Sequence, residues 1–100
     1  MDVWPSLPGA AAVSDHTRKH SVSVAAAIID DEGRFLAIRR ADNGAWEPPG
    51  GVLELDESIE AGLIREVEQE TGLQVEPTAL TGVYKNMCRG IVALDRKSVV

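Results

Sequence analysis

The sequence predicts an α/β domain, and three stretches carry that expectation. An alternating and then apolar run from Ser21 to Ile29 has the pattern of a buried strand. Ile59 to Thr71 has helical spacing between a start signal and a stop signal. Apolar segments near Leu80–Lys85 and Ile91–Leu94 read as further strands. At 100 residues there is room for one domain with a single modest core.

The elements follow in order. Residues 1–19 contain Pro5, Pro8 and Gly9 and are predicted to be a poorly ordered lead-in. Ser21-Val22-Ser23-Val24 alternates, and Ala25 to Ile29 is continuously apolar, as expected of a strand covered on both faces at its far end. Asp30-Asp31-Glu32-Gly33 signals a turn, and Arg34–Arg40 is predicted to return as the second strand of a hairpin. After a loop at Ala41–Gly44, the segment Trp46-Glu47-Pro48-Pro49-Gly50-Gly51 excludes regular helix and predicts a rigid backbone suited to close approach. A short strand is expected at Val52–Leu55. Ser58 is a suitable N-cap for the helix, Asp56 and Glu57 add negative charge near its positive end, and Gly72 is placed to end it. Ile59, Leu63 and Val67 recur every four residues and form the expected buried stripe.

Composition narrows the function classes. A net charge of −6 argues against a non-specific nucleic-acid binder, although a divalent cation would still allow a phosphate-bearing small molecule. No apolar run reaches the roughly 20 residues that span a bilayer, so no membrane partner is expected. Cys88 has no partner for an intrachain disulfide and the N-terminus has no signal-peptide pattern, which together predict a cytoplasmic protein.

The chemistry lies between Gly51 and Leu73. Glu66 and Glu70 are four apart, so a helix places them on one face, with Gln69 beside them. Stacked carboxylates repel unless a cation sits between them, and an all-oxygen donor set suits Mg²⁺ or Mn²⁺. Arg65 is placed to pair with Glu57, and the Gly50–Gly51 turn to bring backbone oxygen near the same ion. A pair of glutamates on a helix is by itself usually a solvated face, and Glu60 and Glu68 are assigned to solvent. What distinguishes this stretch is its order. Gly51, five residues, Glu57, seven residues, Arg65-Glu66-Val67, then Glu70-Thr71-Gly72-Leu73 resembles the Nudix box, and Trp46–Gly51 resembles the approach to it.

That resemblance implies a Nudix-type α/β/α sandwich on a mixed sheet, with the box as loop–helix–loop. It implies a hydrolase acting with Mg²⁺ or Mn²⁺ on the pyrophosphate linkage of a nucleoside-diphosphate-type small molecule. By position, Glu66 and Glu70 would be metal ligands, Gly50 would offer its carbonyl oxygen, and Glu66 would also act as the base for water or position it. Arg65 and Glu57 would brace the helix. Gln69 departs from the pattern, which has a glutamate there; an amide supplies no charge to an ion, so weaker metal binding, or fewer ions bound, is expected. The alternatives are a non-catalytic Nudix-like nucleotide-binding module or inactive fragment, and a plain structural domain with an acidic face.

The remaining candidates carry less. His16 and His20 are expected to be ordinary surface or strand-entry residues, and Cys88 a buried or inert thiol. Trp46 is expected to pack under the rigid loop, with base stacking as the alternative. Arg39 and Arg40 are read as surface charge near the box. The domain is expected to occupy residues 20–94 and to be incomplete at its C-terminus. Asp95-Arg96-Lys97-Ser98-Val99-Val100 corresponds to one reading frame of a common short-read sequencing adapter, so residues 95–100 are expected to be a non-native tail. Other codons in the underlying nucleotides would sink that expectation.

Overall fold

The computed structural model describes residues 18–100, so most of the expected lead-in, and His16 with it, lies outside the described residues. Strand β1 spans Ser21–Ile28. Its Val24, Ala26 and Ile28 are buried on one face, as the twofold strand repeat requires. The other face, with Ser23, Ala25 and Ala27, is only half-buried, and Ile29 is exposed. The expected burial on both faces is therefore corrected: the single helix among the described residues covers one side of the sheet.

The hairpin return is also shorter than its sequence pattern. Ile29 bridges Phe35, and only Ile38–Arg39 (β2) is strand, paired antiparallel with Trp46–Glu47 (β3). Asp30 explains the departure. Its carboxylate accepts from the backbone N–H groups of Glu32 and Arg34 at 2.9 Å each, which favours turn over ladder. The next strand, β4, forms at Gly50–Val52, earlier than expected, because the glycines themselves pair with β1.

Helix α1 spans Ile59–Thr71 as the sequence predicts. The Ser58 hydroxyl accepts from the Ala61 N–H at 3.1 Å, and Gly72 adopts φ 75° at the C-terminal end. Leu63 and Val67 are fully buried, whereas Ile59, in the first turn, is 41% exposed, so the stripe is one residue shorter than expected. Strands β5 (Glu76–Asn86) and β6 (Ile91–Val99) complete a four-stranded sheet of order β4-β1-β6-β5. β1 runs parallel to β6 and antiparallel to β4, and β5 is antiparallel to β6, so the sheet is mixed. Val24, Ala26, Ile28, Leu63, Val67 and Val75 form the core between the sheet and α1. β6 continues past Leu94 through Val99, so Asp95–Ser98 occupy an interior strand.

Candidate active site

The site is assembled where β4 passes under α1. A Cβ on Gly50 would collide with the Val24 carbonyl oxygen and lie 2.8 Å from the Ala25 Cα, so only glycine lets β4 approach β1 this closely. A Cβ on Gly51 would meet the Glu66 carboxylate at 2.5–2.6 Å. The missing side chain therefore lets Glu66 rest on the backbone there. From the next turn of the helix, Glu70 Oε1 accepts the Gly50 N–H at 3.2 Å. Both carboxylates thus converge on the two glycines that begin β4, Gly50 and Gly51, from positions one helical turn apart.

Arg65 organises the other half. Its Nε and Nη2 donate to Glu57 Oε2 and Oε1 at 2.8 and 2.5 Å, a forked pair joining the loop to the helix. Glu57 Oε1 also accepts the Glu54 N–H at 2.9 Å, which fastens the loop to itself. The remaining Arg65 nitrogen, Nη1, donates to Glu66 Oε1 at 2.9 Å and to Gln69 Oε1 at 3.2 Å. One guanidinium therefore braces the helix and holds Glu66 in place, while Gln69 presents its amide oxygen to Arg65.

The charges respond to this arrangement. The Arg65 hydrogen bonds, together with the Glu54 N–H, pull the Glu57 carboxyl from its ordinary 4.5 down to about 2. Arg65 is correspondingly raised by Glu57. Glu70 moves upward: loss of water around its carboxyl dominates, and Glu66 and Glu47 add negative charge beside it, opposed by the Gly50 N–H. A carboxylate crowded this way is relieved by a cation. Among the described residues no three His, Cys, Asp or Glu side chains converge as a closed metal cage. Two carboxylates beside the β4 backbone nonetheless fit an ion such as Mg²⁺, which keeps several of its waters and commonly takes one or two protein carboxylates.

Every residue singled out in the box is brought together: Gly50, Glu57, Arg65, Glu66 and Glu70. Two others escaped the sequence reading. Glu47 adds negative charge near Glu70, a proximity that the fold creates and local spacing does not reveal. Gly62 leaves no room for a Cβ, which would lie 2.8 Å from Glu57 Oε1 and collide with Leu53; a glycine inside a helical pattern was the available signal. His20 is exposed, as expected. Cys88 is exposed rather than buried, in the turn between β5 and β6. Trp46 is 67% exposed, which overturns its expected packing role. Among the described residues no helix is long and apolar enough to cross a membrane.

The NUDIX domain family model matches residues 19–93. A MutT-like protein of Streptomyces ambofaciens is 68% identical over 75 residues, covering 75% of this chain and 49% of the relative. An ADP-ribose pyrophosphatase of Methanocaldococcus jannaschii is 37% identical over 62 residues, covering 59% of this chain and 37% of the relative. The chain thus spans half or less of these relatives' lengths. The crystal structure of a MutT protein from Methanosarcina mazei superposes with a TM-score of 0.71 at 32% identity, covering 81% of this chain and 64% of that one.

Proposed function

Because the chain belongs to the NUDIX domain family, we propose that it is a metal-dependent hydrolase domain that cleaves the pyrophosphate linkage of nucleoside-diphosphate-linked substrates. The observation that carries the proposal is the convergence of Glu66 and Glu70 on Gly50 and Gly51. Glu66, Glu70 and the Gly50 carbonyl would hold the ion, Mg²⁺ or Mn²⁺. When bound, such an ion supplies neutralisation of the diphosphate and a more acidic water.

The protein's own groups then have distinct tasks. Glu66 accepts the proton of the attacking water or positions that water for the transfer. Arg65 fixes the Glu66 carboxylate through Nη1, and Glu57 fixes Arg65 through the forked pair. Glu57 and Arg65 act through Glu66 and are positioning residues. Gln69 contributes no charge and is engaged with Arg65, which favours the second reading, a nucleotide-binding module without turnover.

One assay separates these readings. With Mg²⁺ and ADP-ribose, the substrate class named for the archaeal relative, the hydrolase reading expects release of a nucleoside monophosphate. Glu66→Gln should lower kcat by about a hundredfold or more. Binding of ADP-ribose with no product in the parent chain would instead establish the module.

A further inference from the structure

The chain has two asparagines, Asn43 and Asn86, and only Asn43 is followed by glycine. Asn43 is exposed, in the loop that joins β2 to β3. Hydrogen bonds close this loop, from the Arg40 N–H to the Ala45 carbonyl oxygen at 2.8 Å and from the Gly44 N–H to the Arg40 carbonyl oxygen at 3.0 Å. Arg39 is anchored to it, its Nε donating to the Gly44 carbonyl oxygen at 3.2 Å.

The loop also prepares a reaction within its own chain. Asn43 Oδ1 accepts the Ala45 N–H at 2.9 Å. That bond closes a ring containing the Gly44 nitrogen, so the side-chain amide is folded back toward the peptide nitrogen that can attack it. It also draws electron density from Cγ, as a donor aimed at a reacting carbonyl does. Gly44, with φ 71°, has no side chain to obstruct the approach. The bond from the Gly44 N–H to Arg40 opposes attack, because that nitrogen must first be freed. It belongs to a short exposed loop, where local opening costs far less than in a core strand. Asn86 provides the contrast. It is also exposed, but its Oδ1 accepts two N–H groups, of Cys88 and Arg89, at 3.1 Å each, and the bulkier Met87 follows it.

We propose that Asn43 is a site of spontaneous modification, converting through a cyclic imide with Gly44 to isoaspartate and aspartate and so releasing Arg39. The Gly44 nitrogen, its proton taken by hydroxide, bonds to Asn43 Cγ. The bond from Cγ to the side-chain nitrogen breaks, and ammonia leaves with a proton from water, which restores the hydroxide. Water then opens the imide. Addition at Cγ gives aspartate; addition at the backbone carbonyl carbon of residue 43 breaks its bond to Gly44 and gives isoaspartate. The net change is water in and ammonia out, with no oxidation. Isoaspartate carries the chain through an added methylene and leaves a carboxylate beside Asp42. The loop-closing bonds no longer fit, and Arg39 loses the Gly44 carbonyl oxygen. None of this depends on the hydrolase reading.

The test incubates the full chain at mildly alkaline pH, with Trp4→Phe so that Trp46 is the sole tryptophan of the original two. Chromatography and mass spectrometry of its peptides should show Asn43 converting at least about tenfold faster than Asn86, the ratio given by a barrier lower by about 1.4 kcal/mol. Isoaspartate should exceed aspartate. Trp46 emission should drift in step with isoaspartate, because the Arg39 guanidinium carbon lies 5.8 Å from the ring centroid. Asn43→Ser keeps a side-chain acceptor for the loop and should abolish the drift. If circular dichroism shows the serine variant unfolded, the two asparagine rates and the emission of the parent decide. Equal rates at Asn43 and Asn86, or aspartate formed without isoaspartate, would overturn the modification site. Unchanged emission at complete conversion, or the same drift in a folded serine variant, would overturn the release of Arg39.

Discussion

The loop–helix segment from Gly50 to Gly72 and the β5–β6 ribbon are built on opposite principles. In the first, nearly every polar side chain at the site has a partner within the segment: Ser58 caps α1, Glu57 clamps Arg65, Arg65 holds Glu66, and Glu70 holds Gly50. In the second, the backbone ladder is long but the side chains fit it poorly. β5 changes register between Pro77 and Ala79 and again between Leu80 and Gly82, and Leu80, Val83 and Tyr84 are exposed on it. β6 is apolar from Ile91 to Leu94 and then carries Asp95, Arg96, Lys97 and Ser98 between two neighbouring strands. Ser98 is 1% exposed with only a 3.5 Å bond to the Arg96 carbonyl oxygen, and the buried Arg96 Nε has no partner. Local partners give the helix one determined geometry, whereas the ribbon rests mainly on backbone pairing, supplemented by the Thr78 and Thr81 hydroxyls donating to β6 carbonyl oxygens and by Arg96 donating to Glu60.

The largest test of that contrast is in the core. Leu63→Ala, at a fully buried position on α1, should cost about 2–5 kcal/mol in chemical denaturation, whereas Leu80→Ala on the exposed strand should stay within about 0.5 kcal/mol. Equal losses at the two sites would show that the ribbon packs as tightly as the helix.

Acid should weaken the clamp next. Glu57 titrates at about 2 in the folded chain against an ordinary 4.5. A depressed carboxyl contributes stability that is complete above the ordinary value and disappears as pH falls from about 4.5 through about 2. Glu57→Gln should therefore lower Tm at pH 7 and flatten the loss of Tm across that acid window. A variant whose acid profile parallels the parent's would remove the clamp from the account.

The smallest effect belongs to β6. Ser98→Ala removes a hydroxyl that makes one long bond, and its stability should match the parent within about 0.5 kcal/mol. A larger loss would mean that the hydroxyl has a partner the ribbon picture omits.

The same contrast explains what was legible in the sequence. Helix α1, its two ends and the Glu57–Arg65 pair could be read because each depends on residues at most eight positions apart. The Gly50–Gly51 step was legible as a rigid approach, but not the reason for its glycines, which lies in Val24 and Glu66. The hairpin after Ile29 was overread because Asp30 diverts the backbone into a turn that strand periodicity does not register. Trp46 was misplaced because hydrophobicity predicts burial only where a partner surface exists, and that depends on the fold.

The central claim is that Glu66, Glu70 and the Gly50–Gly51 backbone together form a divalent-cation site. Titrating the ¹⁵N-labelled chain with substoichiometric Mn²⁺ and following paramagnetic broadening tests it most directly. The account predicts that the amides of Gly50, Gly51, Glu66 and Glu70 broaden first. Broadening centred on Asp30, Asp42 or Glu76, or spread evenly over the acidic surface, would contradict it.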